Sequence, residues 1–216
     1  MANINKQAFK FLLKKKLKKI YLHKITTPLL NLLVRTQSAI RNKIKQRVVK
    51  KYARKFKYST FVETGTYKGD MVDAMKNIFS KIYSIELSPV LFAKAQERFA
   101  GASNINLRCG DSGIILKEII QEIKIPALFW LDAHYSKGDT ARGEKDTPIL
   151  QELEIILSHP VKNHVILIDD ALCFNGTNDY PKISEIKSFI EKRAPHYTVK
   201  VINDIFRITN PQHNKN

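Results

Sequence analysis

Six carboxylates, Glu63, Glu86, Asp111, Asp132, Asp169 and Asp170, stand at or beside the ends of short apolar runs in this 216-residue chain. Glu63 opens the stretch Glu63-Thr64-Gly65-Thr66-Tyr67-Lys68-Gly69. Glycine there lets backbone approach a ligand closely, and a helix starting after it offers unpaired N–H groups to an anionic group. The same pattern also describes a tight strand-to-helix turn, and these residues alone leave both readings open. Glu86 closes the run KIYSIE, 21 residues after Gly65. A carboxylate at such a strand end can accept two hydrogen bonds from ribose hydroxyls. Asp111-Ser112 follows the third run, placed either to meet an exocyclic amine of a base or to cap the helix that begins there.

The other three acids suggest different chemistry. Asp132 ends ALFWLD, and Asp169-Asp170 end HVILIDD. If these runs are neighbouring parallel strands, three carboxylates meet at one edge. Like charges so close repel, and they partly protonate unless a cation compensates. All-oxygen ligands suit a hard ion such as Mg²⁺. The bland alternative is that one Asp caps helix 148–158 or binds a backbone amide. His134 lies two residues past Asp132 and titrates where a general base is useful; a loop histidine of no chemical role is the competing reading. The loop that follows, HYSKGDTARGEKDTP, is glycine-containing, charged and poor in groups to bury. It suits a lid over an acceptor pocket, with Lys137, Arg142, Glu144 and Lys145 toward an anionic or polyhydroxylated acceptor and Tyr135 stacked on a sugar ring. Solvated flexible charge explains the same composition. Thr147-Pro148 reads as an N-cap with proline at the first helical position.

The elements that must position these groups are legible from periodicity. Strands are expected at 61–65, 81–87, 105–109, 127–132, 164–169, 197–203 and 205–209. Helices are expected at 69–79, 89–100, 113–123, 148–158 and 183–193. Alternating strands and helices mean βαβ units and a parallel sheet covered on both faces. Val165-Ile166-Leu167-Ile168 is the continuous apolar run of such a strand. The last two strands, close together, are expected as an antiparallel hairpin at one edge. With 44% apolar residues the chain can bury a sizeable core.

Charge divides the chain. Residues 1–60 hold 18 Lys/Arg and no acid, whereas the remaining residues hold 19 Lys/Arg against 20 Asp/Glu. A nearly neutral domain therefore follows a cationic arm, and the net charge of +17 does not by itself imply a nucleic-acid substrate. The arm reads as two basic helices, 5–24 and about 29–55, broken at Pro28. The predicted organisation is a basic helical arm over 1–57, an α/β domain over 58–210 and a frayed tail over 211–216. Residues 5–55 suit an anionic membrane surface, nucleic-acid phosphates, or packing on the domain or on a second subunit in a homo-oligomer. Two cysteines make no disulfide framework, so buried free thiols in a reducing, cytoplasmic compartment are expected, with peripheral attachment at the inner face of a membrane as a variant. No run reaches the length of a membrane span, and the arm is too interrupted by lysine for a good signal peptide.

The segments VETGTYKG, IYSIELS and RCGDS resemble the successive cofactor motifs of class I S-adenosylmethionine-dependent methyltransferases over roughly residues 60–209. The resemblance implies a Rossmann-like three-layer sandwich, with a mostly parallel seven-stranded sheet and an antiparallel edge strand. It implies S-adenosylmethionine as cofactor, with Glu63, Gly65, Thr66 and Gly69 shaping the methionine pocket, Glu86 holding the ribose, and Asp111 with Ser112 at the adenine. The later acids resemble those of cation-dependent O-methyltransferases acting on sugars and macrolide glycosides. That likeness implies a divalent cation, Mg²⁺ above all, on Asp132, Asp169 and Asp170, with His134 as base. Tyr135, Lys137 and Arg142 would then meet the small-molecule or glycan acceptor. O-methylation of a sugar or glycosylated acceptor is the expected activity. An RNA methyltransferase anchored by the arm, or a non-catalytic membrane-associated cofactor-binding protein, are the alternatives.

Overall fold

The computed structural model describes residues 36–132 and 147–214. Two compact units are present, Met1–Lys45 and Gln46–Asn216. In the first, residues 36–45 are helical and mostly exposed. The helix runs on to residue 56 (α1, 36–56), and its residues 46–56 belong to the second unit. The rest of that unit alternates strand and helix: β1 (Thr60–Thr64), α2 (Asp70–Met75), β2 (Lys81–Glu86), α3 (Pro89–Arg98), β3 (Ile105–Cys109), α4 (Ser112–Glu122), β4 (Leu128–Leu131), α5 (Ile149–Ser158), β5 (Val165–Ile168), α6 (Ile183–Arg193), β6 (Thr198–Ile202) and β7 (Ile205–Thr209).

Seven strands form one sheet in the order β3-β2-β1-β4-β5-β7-β6. The first five are parallel, and β7 runs antiparallel to both β5 and the edge strand β6. The reversed strand is thus inserted beside the edge. Consecutive residues of the central strands feed two separate cores, as a pleat with period two requires. Val62, Phe129, Leu131, Ile166 and Ile168 pack with Leu116, Leu153 and Ile186 of α4, α5 and α6. Phe61, Leu128, Trp130, Val165 and Leu167 pack with Val49, Met75 and Ala95 of α1, α2 and α3. Each buried side chain of this size contributes about 1.5–3 kcal/mol. Continuous apolar strands are therefore the sequence signature of this three-layer arrangement.

Several expectations need correction. The predicted boundary at 57/58 moves to 45/46, because Val48, Val49, Ala53 and Phe56 are buried in the core beneath the sheet. Helix α2 stops at Met75 rather than 79. The Asn104 amide donates to the carbonyls of Lys76 (2.8 Å) and Phe79 (2.9 Å), and that segment is turn rather than helix. Pro148 is the N-cap of α5 and not its first residue; Thr147 Oγ1 accepts from Ile149 N–H one step earlier. Residues Pro211–Asn214 of the expected frayed tail form a 3-10 turn. Both cysteines are free but exposed, Cys109 at the end of edge strand β3 and Cys173 in the surface turn Ala171–Cys173. Among the described residues no helix is long and apolar enough to cross a membrane.

Candidate functional site

The strand order reverses between β1 and β4, which start crossovers on opposite sides of the sheet. Ligands of open α/β sheets bind beyond the strand carboxyl ends at such a switch point. Register places Thr64 beside Leu131 and Leu131 beside Ile168. Glu63, Asp132 and Asp169 therefore reach the same edge on three adjacent strands. The Asp132 N–H donates to the Thr64 carbonyl at 3.0 Å and to its hydroxyl at 3.3 Å, which ties the β4 end to the β1 end.

The glycine loop turns back over β2. The N–H groups of Gly65 and Thr66 both donate to the Ile85 carbonyl, at 2.9 and 3.1 Å. Gly65 (φ 87°) and Gly69 (φ 78°) take left-handed backbone that other residues enter at a cost. At Gly69 space is a second constraint, since a Cβ would lie 2.7 Å from the Phe99 ring. The first turn of α2 carries Asp70 and Asp73, and Arg98 reaches them at 2.8 and 3.5 Å. This short helix start, with two acids, is no free anion site.

Three carboxylates of this half are held by donors of the chain itself. Glu63 is 2% exposed, and the Ser84 hydroxyl donates to its Oε2 at 2.6 Å while lying 2.6 Å from Thr66 Oγ1. Burial, reinforced by the negative charges of Asp132, Glu86 and Asp70, pushes the Glu63 carboxyl well above its usual range. Glu86 accepts from Tyr67 N–H at 2.7 Å on one oxygen and from Ser88 N–H at 2.9 Å on the other. Each of those oxygens keeps a second lone pair for a ligand hydroxyl. Asp111 is the N-cap of α4 and accepts from Gly113 N–H at 2.7 Å. Ser112 beside it is buried, and its hydroxyl has no hydrogen-bond partner among the described residues.

On the other half, Asp132, Asp169 and Asp170 come together. One carboxylate oxygen from each lies within 4.8 Å of the others. Asp169 is 1% exposed; Asp132 and Asp170 are half-buried. An extended strand would send two consecutive residues to opposite faces. Asp170 instead has φ 47°, a left-handed turn that aspartate tolerates, so both side chains join one cluster. Three hard oxygen donors at this spacing fit a small divalent cation. His134, Tyr135, Lys137 and Arg142 lie outside the described residues.

Two participants escape sequence reasoning. Ser84 links Glu63 to Thr66; its signal is a lone hydroxyl inside the apolar strand KIYSIE. Glu152, 1% exposed, lines the same small cavity as Asp169 together with Thr147 and Tyr180. Its signal is an acid on the apolar stripe of α5, between Ile149 and Ile156.

No family profile matches this sequence, and no curated protein matches it. Solved structures do match the fold. A Staphylococcus aureus protein provisionally assigned as a caffeoyl-CoA O-methyltransferase aligns at 17% identity and TM-score 0.57, covering 92% of this chain and 99% of its own. The Bacillus cereus O-methyltransferase, in complex with S-adenosylhomocysteine, aligns at 16% identity and TM-score 0.57 over 77% of this chain and 80% of its own. The Podospora anserina methyltransferase PaMTH1, with S-adenosylhomocysteine bound, aligns at 17% identity and TM-score 0.55 over 76% of this chain and 77% of its own. At such identities the likeness establishes the fold: the chain has the α/β architecture of these methyltransferases.

Proposed function

We propose that the protein is an S-adenosylmethionine-dependent O-methyltransferase assisted by a divalent cation. The carrying observation is the convergence of Asp132, Asp169 and Asp170 within 4.8 Å at the edge shared with the glycine loop. The fold it shares with proteins that bind S-adenosylhomocysteine supports the same reading.

On this proposal Gly65, Thr66 and Gly69 admit the methionine part of the donor, with Glu63 behind them. The second lone pairs of Glu86 take the ribose hydroxyls, and Asp111 with Ser112 faces the adenine. The Ser112 hydroxyl, buried without a partner among the described residues, is suited to a ligand polar atom. The donor supplies an electrophilic methyl carbon, and after in-line displacement by an acceptor oxygen it leaves as S-adenosylhomocysteine. Asp132, Asp169 and Asp170 would hold Mg²⁺, which supplies Lewis acidity toward an acceptor hydroxyl. Asp169 would be the ligand fixed by burial, with the half-buried Asp132 and Asp170 beside it. His134, two residues past Asp132, is proposed to accept the hydroxyl proton. Tyr135, Lys137 and Arg142 belong to a segment whose composition suits a sugar or glycosylated acceptor. Positioning and electrostatics then carry most of the rate enhancement.

Calorimetric titration of S-adenosylmethionine, with and without Mg²⁺, tests the assignment. One-site donor binding and separate Mg²⁺ binding that disappears in Asp169→Ala are expected. A protein that binds neither refutes the proposal.

A further inference from the structure

Five cations on the C-terminal part of α1 form no ion pair with any carboxylate among the described residues. Val48, Val49, Ala53 and Phe56 are buried, whereas Arg47, Lys51, Arg54 and Lys55 are exposed and Lys50 is half-buried. The five cations recur at spacings of three and four, so they lie on one helix face, and they line one shallow surface hollow. The rest of the sequence is ill suited to neutralise them. Residues 1–35 carry nine Lys/Arg and no acid, and residues 133–146 carry three charges of each sign. A second copy offers no better partner, because residues 61–216 have a net charge of only −1. A polyanion from outside the protein is the partner this face fits.

The composition distinguishes between polyanions. Lysines outnumber arginines three to two on this face and 14 to 4 over residues 1–60. They present point charges on flexible stems rather than planar forks for bidentate phosphate or base contacts. The stripe itself carries no aromatic side chain on which a base would stack. In the unit before it, Ile40 and Ile44 are exposed, 54% and 38%, among Arg41, Lys43 and Lys45. Apolar side chains interleaved with cations suit the boundary between headgroups and acyl chains. We propose that α1 docks the protein on an anionic lipid surface through Arg47, Lys50, Lys51, Arg54 and Lys55. This docking stands independently of methyl transfer.

The test uses the full chain and two kinds of vesicle, pure phosphatidylcholine and phosphatidylcholine with about 30 mol% phosphatidylglycerol. Co-sedimentation with the anionic vesicles alone is expected, weakening at least about tenfold when salt is raised well above physiological strength. The variant R47Q/K50Q/K51Q/R54Q/K55Q is expected to partition at least about tenfold less, with an unchanged melting curve. R47K/R54K, which keeps every charge, is expected to bind as the parent does. Equal partitioning of the five-fold variant, or equal binding of the parent to both vesicle types, overturns the proposal. So does a loss of binding in R47K/R54K, or an RNA oligonucleotide that binds more tightly than the vesicles at the same salt.

Discussion

The two halves of the strand edge space their acids differently. Around β1, β2 and β3, each acid is matched to a donor of the chain: Ser84 to Glu63, the Tyr67 and Ser88 amides to Glu86, the Gly113 amide to Asp111. These carboxylates shape backbone, and they hold the glycine loop and the start of α4 in place whether or not a ligand is present. Beyond β4 and β5, three aspartates face one another within 4.8 Å. Carboxylates gathered so closely repel one another. The first half thus sets its acids on separate donors, and the second gathers three of them into the cluster proposed above to hold a cation.

Four substitutions sharpen or break this contrast. The largest effect is expected at the aspartate cluster. Asp169→Ala is expected to slow methyl transfer at least about a hundredfold, because even indirect supports of a metal site are worth 10- to 100-fold. Its affinity for S-adenosylmethionine should stay within about threefold of the parent, since the first half is untouched. Equal losses in both readouts would erase the distinction between the halves. Glu86→Ala should show the reverse pattern. Two backbone N–H groups lose their acceptor, which costs about 1–3 kcal/mol of stability in denaturant titration, and donor binding weakens while Mg²⁺ binding persists. Asp111→Ala removes a helix cap, so a loss of about 1 kcal/mol is expected by the same titration, beside weaker donor binding if it faces the adenine as proposed.

The smallest effect is a slope. Burial raises the Glu63 carboxyl, so the folded protein holds that proton more tightly than the unfolded chain. The associated stability is fully present below about pH 4.5 and is lost as pH rises toward the folded value. Glu63→Gln keeps the shape without the titration. Its unfolding free energy should fall less between acid and neutral pH than that of the parent, and an unchanged slope would assign the pH dependence to other groups.

The sheet was legible because it is covered on both sides. Val165–Ile168 and Leu128–Leu131 read as unbroken apolar runs, and a buried parallel strand has no other composition available. The strand ends were legible for the same reason, since the first charged residue after such a run marks the edge. Side-chain partners were not. Nothing in KIYSIE says that Ser84 faces Glu63, because that contact depends on the pairing of Glu63 with Ser84 across β1 and β2. The length of α2 depended on Asn104, which lies 28 residues beyond Lys76. Packing of α1 on the domain was one of three readings left open for the basic arm, because its lysines suit a membrane surface or phosphates equally well; Val48, Val49, Ala53 and Phe56 form the apolar stripe at helical spacing that packs.

The most direct test of the proposed cation site is a crystal structure grown with S-adenosylhomocysteine and Mn²⁺, read by anomalous scattering at the manganese edge. The account predicts one ion ligated by Asp132, Asp169 and Asp170, with the nucleoside lying against Glu86 and Asp111. A nucleoside bound there with no anomalous peak among the three aspartates would contradict it.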